Sequence, residues 1–335
     1  MHYRRLGQSG LKVSEICLGS MTFGRGADQA ETTRMVDAAL AGGVNFIDTA
    51  DGYNGGLAEE MLGVALKGRR REVVLATKVF NAMGPGVNDS GTSRAHIMLA
   101  VEDSLRRLKT DWLDLYYIHH VDVETQLDEQ LRALDDLIRQ GKVRYAACSN
   151  YEAWRLMEAL WLSDSRGWSR FAAYQPQYSL VVRDIEQEIV PVCELKGLGV
   201  AVWSPLAGGY LTGKYRSVAS PPPGSRAAEG WALPARFFHP AHQAILAELV
   251  SVAAGLGRPP AQVALAWVLA RPWVSSVVIG ARSTAQLDGA LGAAGLTLPP
   301  PALERLDKAS ALPWRYPRSM EQAMAARRAE AVGRR

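Results

Sequence analysis

Eight times in 335 residues, an apolar run of strand length is followed by a stretch with helical spacing. SEICLG (14–19) precedes a helix over 30–41, VNFID (44–48) one over 56–67, and VVLATK (73–78) one over 93–109. In that third helix Ile97, Val101, Leu105 and Leu108 recur at helical intervals. WLDLYYIH (112–119) leads into 124–140, VRYAACS (143–149) into 151–163, and FAAYQ (171–175) into 185–196. VAVWS (200–204) is followed by helices over 243–256 and 260–270, and VSSVVIG (274–280) by one over 284–293. Strands that alternate with helices pair in parallel, because each crossover returns the chain to the same end of the sheet. Eight such units without a break predict a closed (β/α)8 TIM barrel of the α/β class.

Two features lie outside this repeat. YRRLG and LKVSE at the start form an N-terminal β-hairpin positioned to plug the barrel floor. A long loop, Pro205–Pro240, follows strand 7 and contains SPPPGSR. Loops of this length within a compact fold are usually functional or disordered. This one leaves the barrel's catalytic face and reads as a lid over cofactor or substrate. No linker interrupts the chain, so 1–335 reads as a single domain, with 313–335 an Ala/Arg-rich C-terminal tail that docks loosely as a helix.

Composition narrows the class. At 48% hydrophobic and 21% charged, the chain can bury a sizeable core. The net charge is +4, but the basic residues are scattered apart from Arg69–Arg71 and the tail. No basic stripe with interleaved aromatics exists, so no nucleic-acid partner is expected. Cys17, Cys148 and Cys193 are widely spaced without a CxxC, and read as buried free thiols rather than a disulfide or metal site. Met1–Gly10 has no apolar signal core, and no run approaches a membrane span. A soluble, cytoplasmic protein with no membrane partner is expected.

The chemistry-bearing residues Asp48, Tyr53, Lys78 and His119 each stand at or just past the end of a strand run. Barrels of this kind carry their active sites on that face. A carbonyl carbon accepts hydride more readily when its oxygen is protonated as charge develops. Tyr53 suits that role if its pKa, near 10 unperturbed, is brought down. The ammonium of Lys78 would do this, Asp48 would offset the charge of Lys78, and His119 would orient the substrate oxygen. The GxG stretches at Gly24, Gly84, Gly197 and Gly255 all fail to complete GxGxxG, so there is no Rossmann fingerprint.

FIDTADGY, LATK, DLYYIHHVD, GKVRYAACSN, YQPQYSL and VAVWSPLAGGYLTGKY occur in this order, after YRRLGQSGLKVSEICLGSMTFG. Together they resemble the aldo-keto reductases over nearly the whole chain. GQSGLKVSEICLGSMTFG and SPLAGGYLTGKY are nearer the bacterial and potassium-channel β-subunit branch than the aldose reductases.

The resemblance implies Tyr53 as proton donor, Lys78 and Asp48 as its tuning pair, and His119 as the orienting imidazole. His120 falls on a variable position of the IHxxD pattern, and Asp122 completes that pattern as a structural residue. The implied cofactor is NADPH/NADP+, with NADH also admitted. Ser149, Asn150 and Gln175 would hold the nicotinamide amide, Trp203 would stack on the ring, and Gly19, Met21 and Asp48 would line its other side. Ser204, Leu206, Gly208 and Lys214 would line the pyrophosphate. Gly280, Arg282 and Gln286 match the adenosine-phosphate site, where the Arg282 guanidinium fork suits a 2′-phosphate. Gly289 and Ala290 stand where the family often carries Glu-Asn, so an adenine contact is missing.

The implied reaction is reduction of a small-molecule aldehyde or ketone to an alcohol by direct hydride transfer, without a metal. Phe80, Met83, Trp231, Phe237, Phe238, Trp314 and Tyr316 are the expected walls of a wide, mainly apolar substrate pocket. Two alternatives share the barrel: a cofactor-binding regulatory subunit, and a dehydratase or epimerase that uses transient redox on a biosynthetic sugar or polyketide intermediate.

Overall fold

The eight strand runs close on themselves. In the computed structural model, which describes residues 1–215, 221–223, 225, 227–228 and 235–333, β3 (Ile16–Gly19), β4 (Phe46–Asp48), β5 (Val74–Val79), β6 (Leu113–Ile118), β7 (Val143–Ser149), β8 (Phe171–Gln175), β9 (Gly199–Trp203) and β10 (Val274–Gly280) form a parallel barrel in chain order. β10 pairs with both β9 and β3, which closes the ring. The helices α1 (Gln29–Ala41), α2 (Leu57–Ala65), α3 (Arg94–Leu108), α4 (Leu127–Arg139), α5 (Ala153–Arg166), α6 (Ile189–Lys196), α7 (Pro240–Gly255), α8 (Pro260–Leu269) and α9 (Thr284–Leu291) follow the strands. α10 (Pro300–Ala309) and α11 (Arg318–Gly333) complete the chain.

Several helices begin where local chemistry dictates rather than where the apolar period starts. α3 is capped by Ser93, whose hydroxyl accepts the His96 N–H. α4 starts at Leu127, three residues later than the spacing suggests. The Asp122 carboxylate takes the Glu124 and Thr125 N–H groups and holds that segment as a turn. Asp122 also accepts from Thr92, so its role is structural, as the sequence implied. α7 starts earlier than expected, with His239 as cap and Pro240 in the first turn.

Strand alternation sorts the core into two layers. Ile16, Leu18, Ile47 and Leu75 face the helices in the larger cluster. Cys17, Phe46, Ala76, Tyr117, Ala147, Ala173, Ala201 and Val278 face the barrel interior. The interior is sealed by the hairpin of β1 (Tyr3–Arg5) and β2 (Lys12–Ser14), whose Leu6 and Val13 are fully buried in that inner cluster. Gly199 permits this closure, since a Cβ there would lie 2.6 Å from the Leu6 side chain. The hairpin is thus the floor plug that the sequence suggested, and all three cysteines are buried free thiols.

The tail helix α11 is exposed almost throughout, and Arg318 anchors it by donating to the Glu186 and Gln187 carbonyls. Trp231 and part of the expected lid (216–220, 224, 226 and 229–234) lie outside the described residues. Among the described residues no helix is long and apolar enough to cross a membrane.

Candidate active site

The same alternation builds the site. Two residues beyond each interior position, on the same side of its strand, stand Gly19, Asp48, Lys78, His119, Ser149, Gln175, Trp203 and Gly280. They form the top layer of the barrel filling, at the carboxyl ends of eight different strands. Tyr53 comes from the turn Tyr53–Gly56 after β4, where Asn54, Gly55 and Gly56 all take positive φ. Asn54 fastens that turn by donating to the Phe23 carbonyl at 2.5 Å and the Met21 carbonyl at 3.3 Å.

Lys78 is fully buried. Its ammonium donates to Asp48 Oδ2 at 2.5 Å, to the Thr49 carbonyl at 2.7 Å and to Tyr53 Oη at 3.1 Å. Gln175 Nε2 donates to the other Asp48 oxygen at 2.9 Å. The His119 ring meets the Tyr53 ring edge-on, with centroids 5.9 Å apart. Asn81 donates to His119 Nδ1 at 3.3 Å, which leaves the proton of a neutral imidazole on Nε2. The four residues singled out from the sequence therefore meet at one point.

The electrostatics correct one expectation. Burial pushes the half-buried Tyr53 phenol above its usual range, and Lys78 only pulls against that rise. Desolvation outweighs the ammonium because Asp48 already offsets much of its charge. Burial also works against the charge on Lys78, but Asp48 and Tyr53 reverse this and hold the ammonium above its usual range. His119 falls to about 2 through burial, then Lys78 and His120, and is neutral at ordinary pH. The arrangement holds a protonated phenol, a fixed cation that stabilises the phenolate formed when the proton leaves, and a neutral N–H donor. That is the equipment for protonating an oxygen as negative charge develops on it.

A cleft of about 680 Å³ opens above this layer, within the usual range for small-molecule and cofactor sites. Gly19, Met21, Asp48, Ser149, Asn150, Gln175, Trp203, Ser204, Leu206, Gly208, Lys214, Gly280, Arg282 and Gln286 all line it, with Tyr53 and His119. Lys78 lies beneath. Asn150, at φ 61°, accepts from the Trp203 indole at 3.2 Å and donates to the His119 carbonyl at 3.0 Å. Ser204, Ala207, Gly208 and Gly209 all have positive φ, which winds the chain after β9 into a tight cradle beside Lys214. Arg282 and Gln286 stand at the far end, and Gly289 faces open space there. Amide and hydroxyl groups near Tyr53, an indole beside them, and cations at the other end fit a nicotinamide dinucleotide.

The expected substrate walls are a second correction. None of Phe80, Met83, Phe237, Phe238, Trp314 and Tyr316 lines the cleft. Phe237 is buried against Tyr210, Trp314 and Tyr316 lie exposed on the tail, and Phe80 packs edge-on against His120. Apolar character on a loop does not reveal which way the loop folds. Sequence reasoning missed Asn81 and the lining role of His120, whose ring stacks on His119 at 4.4 Å. Asn81 carried a usable signal: it follows Lys78 by three residues, on the same rim.

A model of the aldo/keto reductase family matches residues 15–311. The chain is 39% identical over 318 residues to the uncharacterized oxidoreductase YrpG of Bacillus subtilis, covering 92% of this chain and 95% of the relative. It is 36% identical over 299 residues to a probable voltage-gated potassium channel subunit beta of Arabidopsis thaliana (86% and 89% covered). It is 32% identical over 327 residues to norsolorinic acid reductase of Aspergillus flavus (92% and 81% covered). With the barrel, the tetrad and the cleft in agreement, the chain belongs to the aldo/keto reductase family of oxidoreductases.

Proposed function

We propose that this protein reduces the carbonyl group of a small aldehyde or ketone to an alcohol, with Tyr53 as the general acid. The observation that carries this reading is the contact of Tyr53 Oη with the buried Lys78 ammonium at 3.1 Å, beside a neutral His119. A reduced nicotinamide dinucleotide bound in the cleft supplies the hydride. Ser149, Asn150 and Gln175 would hold its carboxamide, with Trp203 against its ring and Gly19, Met21 and Asp48 beside it. The cradle with Ser204, Leu206, Gly208 and Lys214 would take the pyrophosphate. Gly280, Arg282 and Gln286 would take the adenosine phosphate, which favours NADPH over NADH.

The substrate oxygen sits between Tyr53 Oη and His119 Nε2–H. His119 donates a hydrogen bond that fixes the carbonyl angle, and Tyr53 delivers its proton as the oxygen becomes basic. Lys78 stabilises the tyrosinate left behind, and Asp48 keeps Lys78 charged and in place. Tyr53→Phe keeps the ring and removes the transferred proton. It should lower turnover roughly a hundred- to ten-thousand-fold while NADPH binding is retained. Turnover within a few-fold of wild type would refute the assignment.

A further inference from the structure

Behind the Tyr53 turn lies a group of polar side chains that the tetrad does not use. Asp51 is completely buried, two residues before Tyr53. Its Oδ1 accepts the Gly52 N–H at 2.5 Å, and the backbone at Phe80 works to lower its pKa. The Asp51 N–H itself donates to the Lys78 carbonyl at 3.1 Å. One residue thus ties the start of the Tyr53 turn to the end of the strand that carries Lys78. Each tie falls within two residues of a group whose separation matters for proton transfer.

The charges around Asp51 do not balance. Among the described residues its Oδ2 has no hydrogen-bond partner, and neither has the Tyr116 hydroxyl, which faces it from β6. Glu59, on α2, adds a second buried carboxyl. Arg107, on α3, is committed to Glu59 at 2.7 Å, and the Thr77 hydroxyl donates to the other Glu59 oxygen at 2.5 Å. Tyr53 faces Asp51 from the turn itself. A buried, partnerless carboxylate oxygen beside a second anion is unfavourable, and a proton on Asp51 relieves it. Burial, then Glu59, lifts the Asp51 carboxyl to about 7.

We propose that Asp51 is a positioning residue for the proton donor: it clamps the Tyr53 turn to the lysine strand and, through its own proton, sets how readily Tyr53 gives up its hydrogen. The inference rests on Tyr53 as the proton donor. Asp51 never exchanges a proton with substrate. When it ionises, its negative charge opposes formation of the tyrosinate, and Tyr53 becomes a poorer acid. When it is protonated, Lys78 is the dominant charge beside the phenol. Reduction therefore slows as pH rises through neutrality.

The test is single-turnover reduction of 4-nitrobenzaldehyde by the NADPH-loaded protein, with rates measured on both sides of neutrality. The wild-type rate should fall about threefold or more across the transition. Asp51→Asn, which keeps an acceptor oxygen and cannot ionise, should change by less than about twofold. Asp51→Ala removes the side-chain half of the clamp, the bond to the Gly52 N–H, and should lose about tenfold at every pH, with KM for the aldehyde nearly unchanged. Melting temperature provides a readout that does not depend on activity. A carboxyl whose folded pKa is raised destabilises the fold increasingly as pH climbs from its unfolded value to its folded one. The Asp51→Asn margin over wild type should therefore widen between mildly acidic and neutral pH. Tyr53→Phe is the control. If it reduces the aldehyde at the wild-type rate, the proton-donor reading fails and the proposal with it. If it is inactive, the proposal alone is overturned by any of three results: Asp51→Asn retains the wild-type fall, Asp51→Ala is as fast as wild type, or the melting margin is independent of pH.

Discussion

Removing either member of the Asp48–Lys78 pair should destabilise the protein, and removing both should restore stability without restoring activity. Lys78 is 0% exposed and Asp48 1%, with Nζ and Oδ2 2.5 Å apart. Lys78→Met leaves the Asp48 carboxylate with Gln175 as its side-chain donor. Asp48→Asn leaves the ammonium with the Thr49 carbonyl and the Tyr53 hydroxyl. An uncompensated buried charge of this kind costs about 3–5 kcal/mol, whereas replacing the whole pair by neutral groups of similar volume is often close to neutral. Asp48→Asn/Lys78→Met should therefore fall within about 2 kcal/mol of wild type, far from the sum of the single losses. Urea unfolding followed by tryptophan fluorescence measures the cycle, provided the m-value is unchanged. Because the Lys78 pKa is raised on folding, its contribution is fully present below its unfolded value, near 10.4. The coupling should accordingly be flat between pH 6 and 9. All three variants should lack carbonyl reduction, because none has a paired ammonium to stabilise tyrosinate. Additive single losses would refute the shielded pair, and a reductively active double variant would refute the role of Lys78 in tuning Tyr53.

Two further outcomes follow from the floor and the rim of the barrel. Leu6→Ala should cost about 2–5 kcal/mol in unfolding free energy and leave turnover at 25 °C unchanged, because Leu6 plugs the end opposite the cleft. A loss below about 1 kcal/mol would mean that the hairpin does not seal the core. Arg282→Ala should weaken NADPH binding by about 1.5–3 kcal/mol and leave NADH binding nearly untouched, measured by fluorescence titration. Equal losses for both would mean that Arg282 supports the fold rather than a 2′-phosphate.

The sequence alone carried the barrel and most of the top layer. Period-2 alternation puts Lys78 on the same side of its strand as Ala76, and His119 on the same side as Tyr117. A run that buries both faces can therefore be read through to the polar residue at its end. Tyr53 was legible because it follows Asp48 closely within a recognisable segment. Tertiary structure decided what alternation cannot express. The direction of the Tyr53 pKa depends on how much solvent the turn excludes and how far Asp48 offsets Lys78, both products of packing. Loop aromatics show affinity for apolar surroundings but not direction, so Phe237 joined the core and Trp314 went to the exposed tail. Asn81 acquired its place only when β5 and β6 met and brought His119 within 3.3 Å. Asp51 looks like any acid in a strand-end loop. Its meaning came from α2, α3 and β6 closing over it, because the cost of a buried charge depends on neighbours far away in the chain.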